Sequence, residues 1–133
     1  MDYHLTQIRV RYSETDQMRV VYHGNYAQYF DIGRVAWLRN KGLSYKWMEE
    51  NANMLPVVSL TMNYKKPAKY DELLTLKTIL KNRTTVKIEF DYELYNESEE
   101  LLTTGNSILV FVDMKTRKPI SPPQYISDIL NRV

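Results

Sequence analysis

The sequence predicts an α+β fold: one antiparallel sheet of about five strands layered against a single long helix. Three observations carry that expectation. Residues 23–42, "HGNYAQYFDIGRVAWLRNKG", repeat their apolar side chains at helical spacing. After Met54 the pattern turns to strand and stays there. Clusters of Asn, Glu, Ser, Thr and Pro cut that second part into separate runs, with no internal repeat and no low-complexity segment.

Taken in order, "LTQIRVRY" (5–12) alternates, with Ile8, Val10 and Tyr12 on one side and Gln7, Arg9 and Arg11 on the other, so a half-buried strand is expected. "SETDQM" breaks it with turn formers. In the helix that follows, Tyr26, Phe30, Gly33 and Trp37 share a stripe, with Tyr29 and Ala36 beside it. Asn25 or His23 can cap its start and Gly42 stops it. Gly33 in mid-helix costs about 1 kcal/mol against alanine, which is tolerable where another backbone approaches closely. "YKWMEENAN" (45–53) reads as a second, short helix.

"PVVSLTMNYKKPA" puts Val58, Leu60, Met62 and Tyr64 on one strand face, and Pro67 marks its end or a bulge. "LLTLKTILK" groups Leu74, Leu76 and Leu80. "TVKIEFDYELY" alternates most cleanly, with Val86, Ile88, Phe90, Tyr92 and Leu94 inward and Lys87, Glu89, Asp91 and Glu93 outward. The run 101–113 is more uniformly apolar, which predicts a central strand covered on both faces. With hairpin turns at "NRTT" (82–85) and "NESEE" (96–100), the last four strands are expected to form a meander. "TRKPISPP" is a loop and "QYISDIL" a last turn or two of helix.

Composition narrows the function. A chain of 133 residues fits one domain, here 1–133. No apolar run reaches the roughly 20 residues of a membrane span, and "MDYHLTQIRV" lacks a signal-peptide pattern. With no cysteine, disulfides and thiolate metal sites are excluded; a cytoplasmic home is the default, although a Cys-free chain suits any compartment. A net charge of +2, from 18 basic and 16 acidic residues, is too balanced for general nucleic-acid binding. Lysines do gather at "YKKPAKY" (64–70), and such a patch suits a small anionic ligand better than a polymer, the alternative being a solvated strand face. Two histidines, His4 and His23, give no metal-ligand spacing, and no cofactor is expected.

The stretch "TDQMRVVYHGNY" (15–26) concentrates the chemistry: an acid in the turn after a strand, a short apolar link, then a helix start. Asp16 there is either a turn former or a reactive carboxylate, and His23 either caps the helix or orients a ligand. Glu14 and Asp31 read as solvated, Asn25 as a cap, and Tyr26, Phe30 and Trp37 as core. A helix N-terminus offers unpaired N–H groups that stabilise developing negative charge.

The segments "RYSETDQMRVVYHGNYAQYFDIGRVAWL" and "NYKKPAKYDELLTL", in this order, resemble the hotdog-fold acyl-CoA thioesterases of the 4-hydroxybenzoyl-CoA thioesterase and YbgC type. The resemblance runs nearly end to end and is specific by the combination. It implies a curved antiparallel sheet wrapped around the long helix, and hydrolysis of an acyl thioester to free acid and CoA. Asp16 falls on the catalytic aspartate, as nucleophile or as general base on water. Val20, Val21, Tyr22 and His23 match the segment leading into the helix, with a backbone N–H near His23 facing the thioester oxygen, and Asn25 and Tyr26 match the helix start. "KPAKYDE" matches the border of the CoA channel, so Lys65, Lys66 and Lys69, helped by Arg83, are expected to meet the CoA phosphates. Arg19 stands where the family usually has glycine; arginine does not mimic glycine at positive φ, which leaves the geometry of the loop beside the acid open, and its side chain either reaches a phosphate or carboxylate of the ligand or is solvated surface. Two further readings remain on the same fold: a non-catalytic acyl-CoA or acyl-carrier-protein binding module, which has no need of Asp16, and a dehydratase, for which the chain lacks a second histidine near the helix. Assembly as a homodimer or homotetramer is expected, because an open sheet leaves edges and the resembled enzymes build their sites between subunits.

Overall fold

A computed structural model describes residues 2–131, without the side chain of Tyr125. Its elements are β1 (Tyr3–Arg9), α1 (Tyr26–Asn40), α2 (Tyr45–Glu50), β2 (Asn53–Met54), β3 (Val57–Tyr64), β4 (Leu73–Arg83), β5 (Lys87–Tyr95), β6 (Leu101–Val110), β7 (Val112–Asp113) and α3 (Gln124–Leu130). Five strands form one antiparallel sheet in the order β1-β4-β5-β6-β3, and β2 pairs with β7 in a small second ladder. The arrangement is the hotdog fold, with α1 as its single long helix.

The helix buries the stripe read from its period: Tyr26, Tyr29, Phe30, Gly33, Trp37 and Leu38 all face the core. Sheet residues at period two meet them, Leu74 and Leu76 from β4 and Ile88, Phe90, Tyr92 and Leu94 from β5. Phe30 stacks on Tyr92 at 4.4 Å and Trp37 meets Phe90 edge-on at 5.0 Å. Gly33 has the expected reason: a Cβ there would lie 2.4 Å from Thr78 Oγ1 and 2.5 Å from Leu76 Cδ2, so only glycine lets helix and sheet come this close. Gly42, at φ 97°, closes the helix.

Three expectations are corrected. The strand that opens the chain stops at Arg9, and Tyr12 lies in a short 3₁₀ turn, Tyr12–Glu14, with 72% of its surface exposed. The last four strands are not a meander: β4, β5 and β6 are, but β3 pairs with β6 at the far edge, so residues 65–72 cross the end of the sheet to reach β4. β6 is covered on one face only; Thr104, Asn106 and Ile108 on the other face are half-exposed. The side chains of β3 that were expected to share a face do share the helix side, in register with Thr103, Gly105 and Ser107. Yet Val58, Leu60 and Tyr64 are 59%, 41% and 52% exposed. The reason is placement: α1 lies over β1 and β4, at the other side of the sheet.

Candidate functional site

The acid-bearing stretch folds as a small β-hairpin. Thr15 bridges Val21, flanked by the Tyr22 N–H donating to Glu14 O at 2.9 Å and the Asp16 N–H donating to Val20 O at 3.0 Å. At the tip the Arg19 N–H donates to Asp16 O at 3.0 Å, and Asp16 Oδ1 accepts the Met18 N–H at 2.8 Å. This is a three-residue hairpin loop whose last residue must be left-handed, a place that suits glycine. Arg19 occupies it at φ 62°, so the expectation that arginine does not mimic glycine at positive φ is corrected: arginine takes up that φ itself. The surroundings hold it there, for Arg19 O accepts the Tyr70 N–H at 2.9 Å, Val20 bridges Lys69 and the Val21 N–H donates to Ala68 O at 2.8 Å. Asp16 is exposed at this tip, and the only contact of its carboxylate among the described residues is the Met18 N–H.

The hairpin runs directly into a 3₁₀ turn, His23–Asn25, and then into α1. Neither expected cap is one. Asn25 has helical backbone angles, and its Nδ2 reaches back to Glu14 O at 2.8 Å, so it ties the helix start to the hairpin. The exposed His23 ring lies against Tyr22, centroids 4.3 Å apart. The Asn25 N–H is taken by Tyr22 O and the Tyr26 N–H by His23 O. Among the described residues, the N–H groups of His23 and Gly24 are then the donors of this turn with no acceptor, as the opening N–H groups of a helix must be.

Glu14, read from sequence as solvated, is 5% exposed. Its Oε1 accepts the Arg11 N–H at 2.8 Å and the Tyr29 hydroxyl at 2.9 Å, while Oε2 pairs with the Arg11 guanidinium at 3.1 Å. Burial, and then the hydroxyl bond to Glu14, push the Tyr29 phenol well above its ordinary value. Sequence reasoning missed Glu14 and Tyr29; the one available signal was the spacing of Arg11 and Glu14, which matches the box that closes a helical turn.

The remaining expected residues divide. His23, Tyr26, Tyr64, Lys65, Lys66, Val21 and Pro67 line a cleft of about 260 Å³ beside the helix start. Tyr26 contributes a buried wall, its hydroxyl near the Ala68 N–H at 3.4 Å. Asp16 and Tyr22 do not line this cleft; Tyr22 stands 51% exposed beside it. A neighbouring cleft of about 430 Å³ shares Lys66 and Pro67 and adds Lys69, Glu72 and Glu100. Lys66 Nζ there pairs with Glu100 Oε2 at 2.5 Å, and that bond holds the Glu100 carboxyl below its usual range. Arg83 is corrected. It ends β4 at the opposite end of the sheet from Lys65 and Lys66, on the order of 30 Å along the strand, and donates to Asn131 Oδ1 at 3.0 Å. Charge density along the sequence had grouped residues that the eleven-residue strand β4 separates.

Comparison with known proteins agrees with the fold. A family model described as the Thioesterase-like superfamily matches residues 10–130. The crystal structure of a DHNA-CoA thioesterase from Staphylococcus aureus is 40% identical with a TM-score of 0.91, over 96% of this chain and 86% of that one. The acyl-CoA thioester hydrolase YbgC of Escherichia coli O6:H1 is 28% identical, over 90% of this chain and 89% of that protein. A 4-hydroxybenzoyl-CoA thioesterase complexed with 4-hydroxybenzoyl-CoA shares the fold, with a TM-score of 0.86 at 18% identity, over 97% of this chain and 99% of that one.

Proposed function

The chain belongs to the Thioesterase-like superfamily and is an acyl-CoA thioester hydrolase; on that premise we propose that Asp16 acts on the thioester opposite the free N–H groups of His23 and Gly24. One observation carries the proposal: the hairpin holding Asp16 is hydrogen-bonded to the turn that opens α1, through Tyr22 N–H and Asn25 Nδ2, both on Glu14 O. Acid and oxyanion donors are thereby held in one rigid unit, as attack on a carbonyl requires. Asp16 Oδ1 is occupied by Met18, which leaves Oδ2 to attack the carbonyl carbon or to deprotonate a water that does so. In either route the tetrahedral oxygen draws its hydrogen bonds from the helix start, and the CoA sulfur departs with the electrons of the C–S bond and takes up a proton. In the first route water then cleaves the acyl–Asp16 anhydride to the free acid and restores the carboxylate; in the second the proton that Asp16 took from water passes to the sulfur. His23 belongs to this site through its backbone; its ring, tilted against Tyr22, helps to form the wall of the cleft.

The phosphate-bearing end of CoA is assigned to the two clefts around Lys65, Lys66 and Lys69. An aryl-CoA is the first acyl group to test: the Staphylococcus relative is named for one, and Tyr12, Tyr22, Tyr64 and Tyr70 expose their rings around the hairpin and cleft. A second copy is assigned to β3, whose apolar helix-side row is left uncovered at the sheet edge. Light scattering tests that, and a monodisperse species of 15.8 kDa refutes it. Among the described residues no helix is long and apolar enough to cross a membrane; a cytoplasmic location belongs to the same proposal, and cell fractionation checks it.

The decisive experiment is Asp16→Asn, which preserves shape and removes charge. The rate of thiol release from a panel of acyl-CoAs should fall at least about a hundredfold, with CoA affinity by calorimetry nearly intact. Hydrolysis near the wild-type rate removes Asp16 from the mechanism.

A further inference from the structure

We propose that Glu14 is the positioning residue of the site: its buried carboxylate fixes the angle at which the Asp16 hairpin meets α1. The inference rests on the reading of Asp16 as the reacting carboxylate. Glu14 stands where three parts of the site converge. Its side chain joins the Arg11 N–H, at the end of the strand segment, to the hydroxyl of Tyr29, inside α1. Its main-chain oxygen joins the returning hairpin strand, through the Tyr22 N–H, to the helix-opening turn, through Asn25 Nδ2. Asp16 is two residues further on.

The bonding is divided between the two carboxylate oxygens in a way that separates position from charge. Oε1 alone makes the contacts to the Arg11 N–H and Tyr29. Oε2 meets only the Arg11 guanidinium, whose side chain is 71% exposed and whose attraction water screens. Tyr29 itself is fully buried in the stripe of α1 that packs on the sheet, so the Oε1 bond refers the hairpin to the packed core. A buried polar group that loses its partner is strongly disfavoured, and two such groups, carboxylate and phenol, hold each other here. Among the described residues no other hydrogen bond runs from the body of α1 to the hairpin; the Asn25 bond comes from the turn ahead of it.

The test compares Glu14→Gln, Glu14→Ala and Tyr29→Phe with Asp16→Asn, on full-length protein, using thiol release from an acyl-CoA and calorimetric binding of free CoA. Hydrogen exchange is followed at the amides of Asp16, Arg19, Val21 and Tyr22. Glutamine retains a carbonyl oxygen for the Oε1 contacts, so Glu14→Gln should keep kcat within about threefold of wild type. Glu14→Ala should lower kcat by at least about tenfold, the scale of a small misplacement, with KM and CoA affinity within twofold and faster exchange confined to the hairpin amides. Tyr29→Phe, which removes one oxygen and keeps the packing, should fall between them and serves if Glu14→Ala does not fold. The inference is overturned if Asp16→Asn abolishes hydrolysis while Tyr29→Phe and Glu14→Ala leave kcat untouched, or if Glu14→Gln loses as much as Glu14→Ala. A wild-type rate in Asp16→Asn overturns the reading of Asp16 instead, and with it any positioning role for Glu14.

Discussion

Arg19→Gly should make the protein more stable, an unusual result for removing a large side chain. Arg19 sits at φ 62° in the last position of the hairpin loop. For an L-residue the left-handed region costs about 1–2 kcal/mol, whereas glycine enters it freely. Glycine brings a counter-term, because its unfolded chain is more mobile by about 0.5–1 kcal/mol. The Arg19 side chain is exposed and makes no hydrogen bond or ion pair among the described residues, so nothing else is lost. The bonds that shape the loop, Arg19 N–H to Asp16 O and Tyr70 N–H to Arg19 O, are main-chain and survive the change. Taken between the midpoints of the two ranges, the difference is a gain of about 0.75 kcal/mol, which for a chain of 133 residues corresponds to about 3 °C in Tm. Calorimetric melts at one fixed protein concentration measure it, with Arg19→Ala as the control that keeps the strained φ. If Arg19→Gly melts no higher than Arg19→Ala, the hairpin does not store strain at this residue.

Two further outcomes are expected. Neutralising Lys65 and Lys66 with glutamine should raise KM for acyl-CoA by about fivefold or more at low salt and hardly touch kcat, Glu100→Gln should lower KM by releasing Lys66, and Arg83→Gln should change neither; a KM that responds to Arg83 puts the phosphate subsite at the other end of the sheet. The phenols of Tyr26, Tyr29, Tyr45 and Tyr92 are all raised above the ordinary value of 10.0, chiefly by burial, so the stability they contribute is complete below that pH and drains away as pH rises past it toward their folded values. The urea midpoint should therefore drop above about pH 10, less steeply in Tyr29→Phe, and a midpoint that holds flat there contradicts the assignment.

What sequence revealed and what it hid follow from the range of each signal. The face of α1 was legible because Tyr26, Phe30, Gly33 and Trp37 repeat locally. β5 was legible from alternation within nine residues. Strand partnership is not a local property: the alternation in β3 looks the same whether it pairs with β4 or, as it does, with β6. Burial of Glu14 was hidden for a similar reason, since the group that justifies it, Tyr29, lies fifteen positions away. Asn25 had the composition of a cap and precedes the helix, but the 3₁₀ turn gives its backbone helical angles, and its side chain holds Glu14 O instead. Arg83 looked like part of a basic cluster because charge was counted along the sequence, blind to the length of β4. The acid, the helix opening and the lysines beside the cleft could be named from sequence as candidates; the network around Glu14 could not.

The crossover at residues 65–72 has a consequence in time. It carries Ala68, Lys69 and Tyr70, which receive the hairpin, while Glu72 O accepts the Val10 N–H and the Lys65 and Lys66 N–H groups both reach Leu102 O. Residues from the first, middle and last thirds of the chain must therefore be in place before the Asp16 loop has a platform. Contacts of such separation in sequence form slowly, because loop closure costs entropy before any contact repays it. The contacts of α1 and of the β4-β5-β6 hairpins are between sequence neighbours, whereas the platform of the loop draws on both edges of the sheet. Recovery of hydrolysis is therefore expected to lag recovery of secondary structure, and parallel circular dichroism and thiol release during refolding check it, simultaneous recovery refuting it.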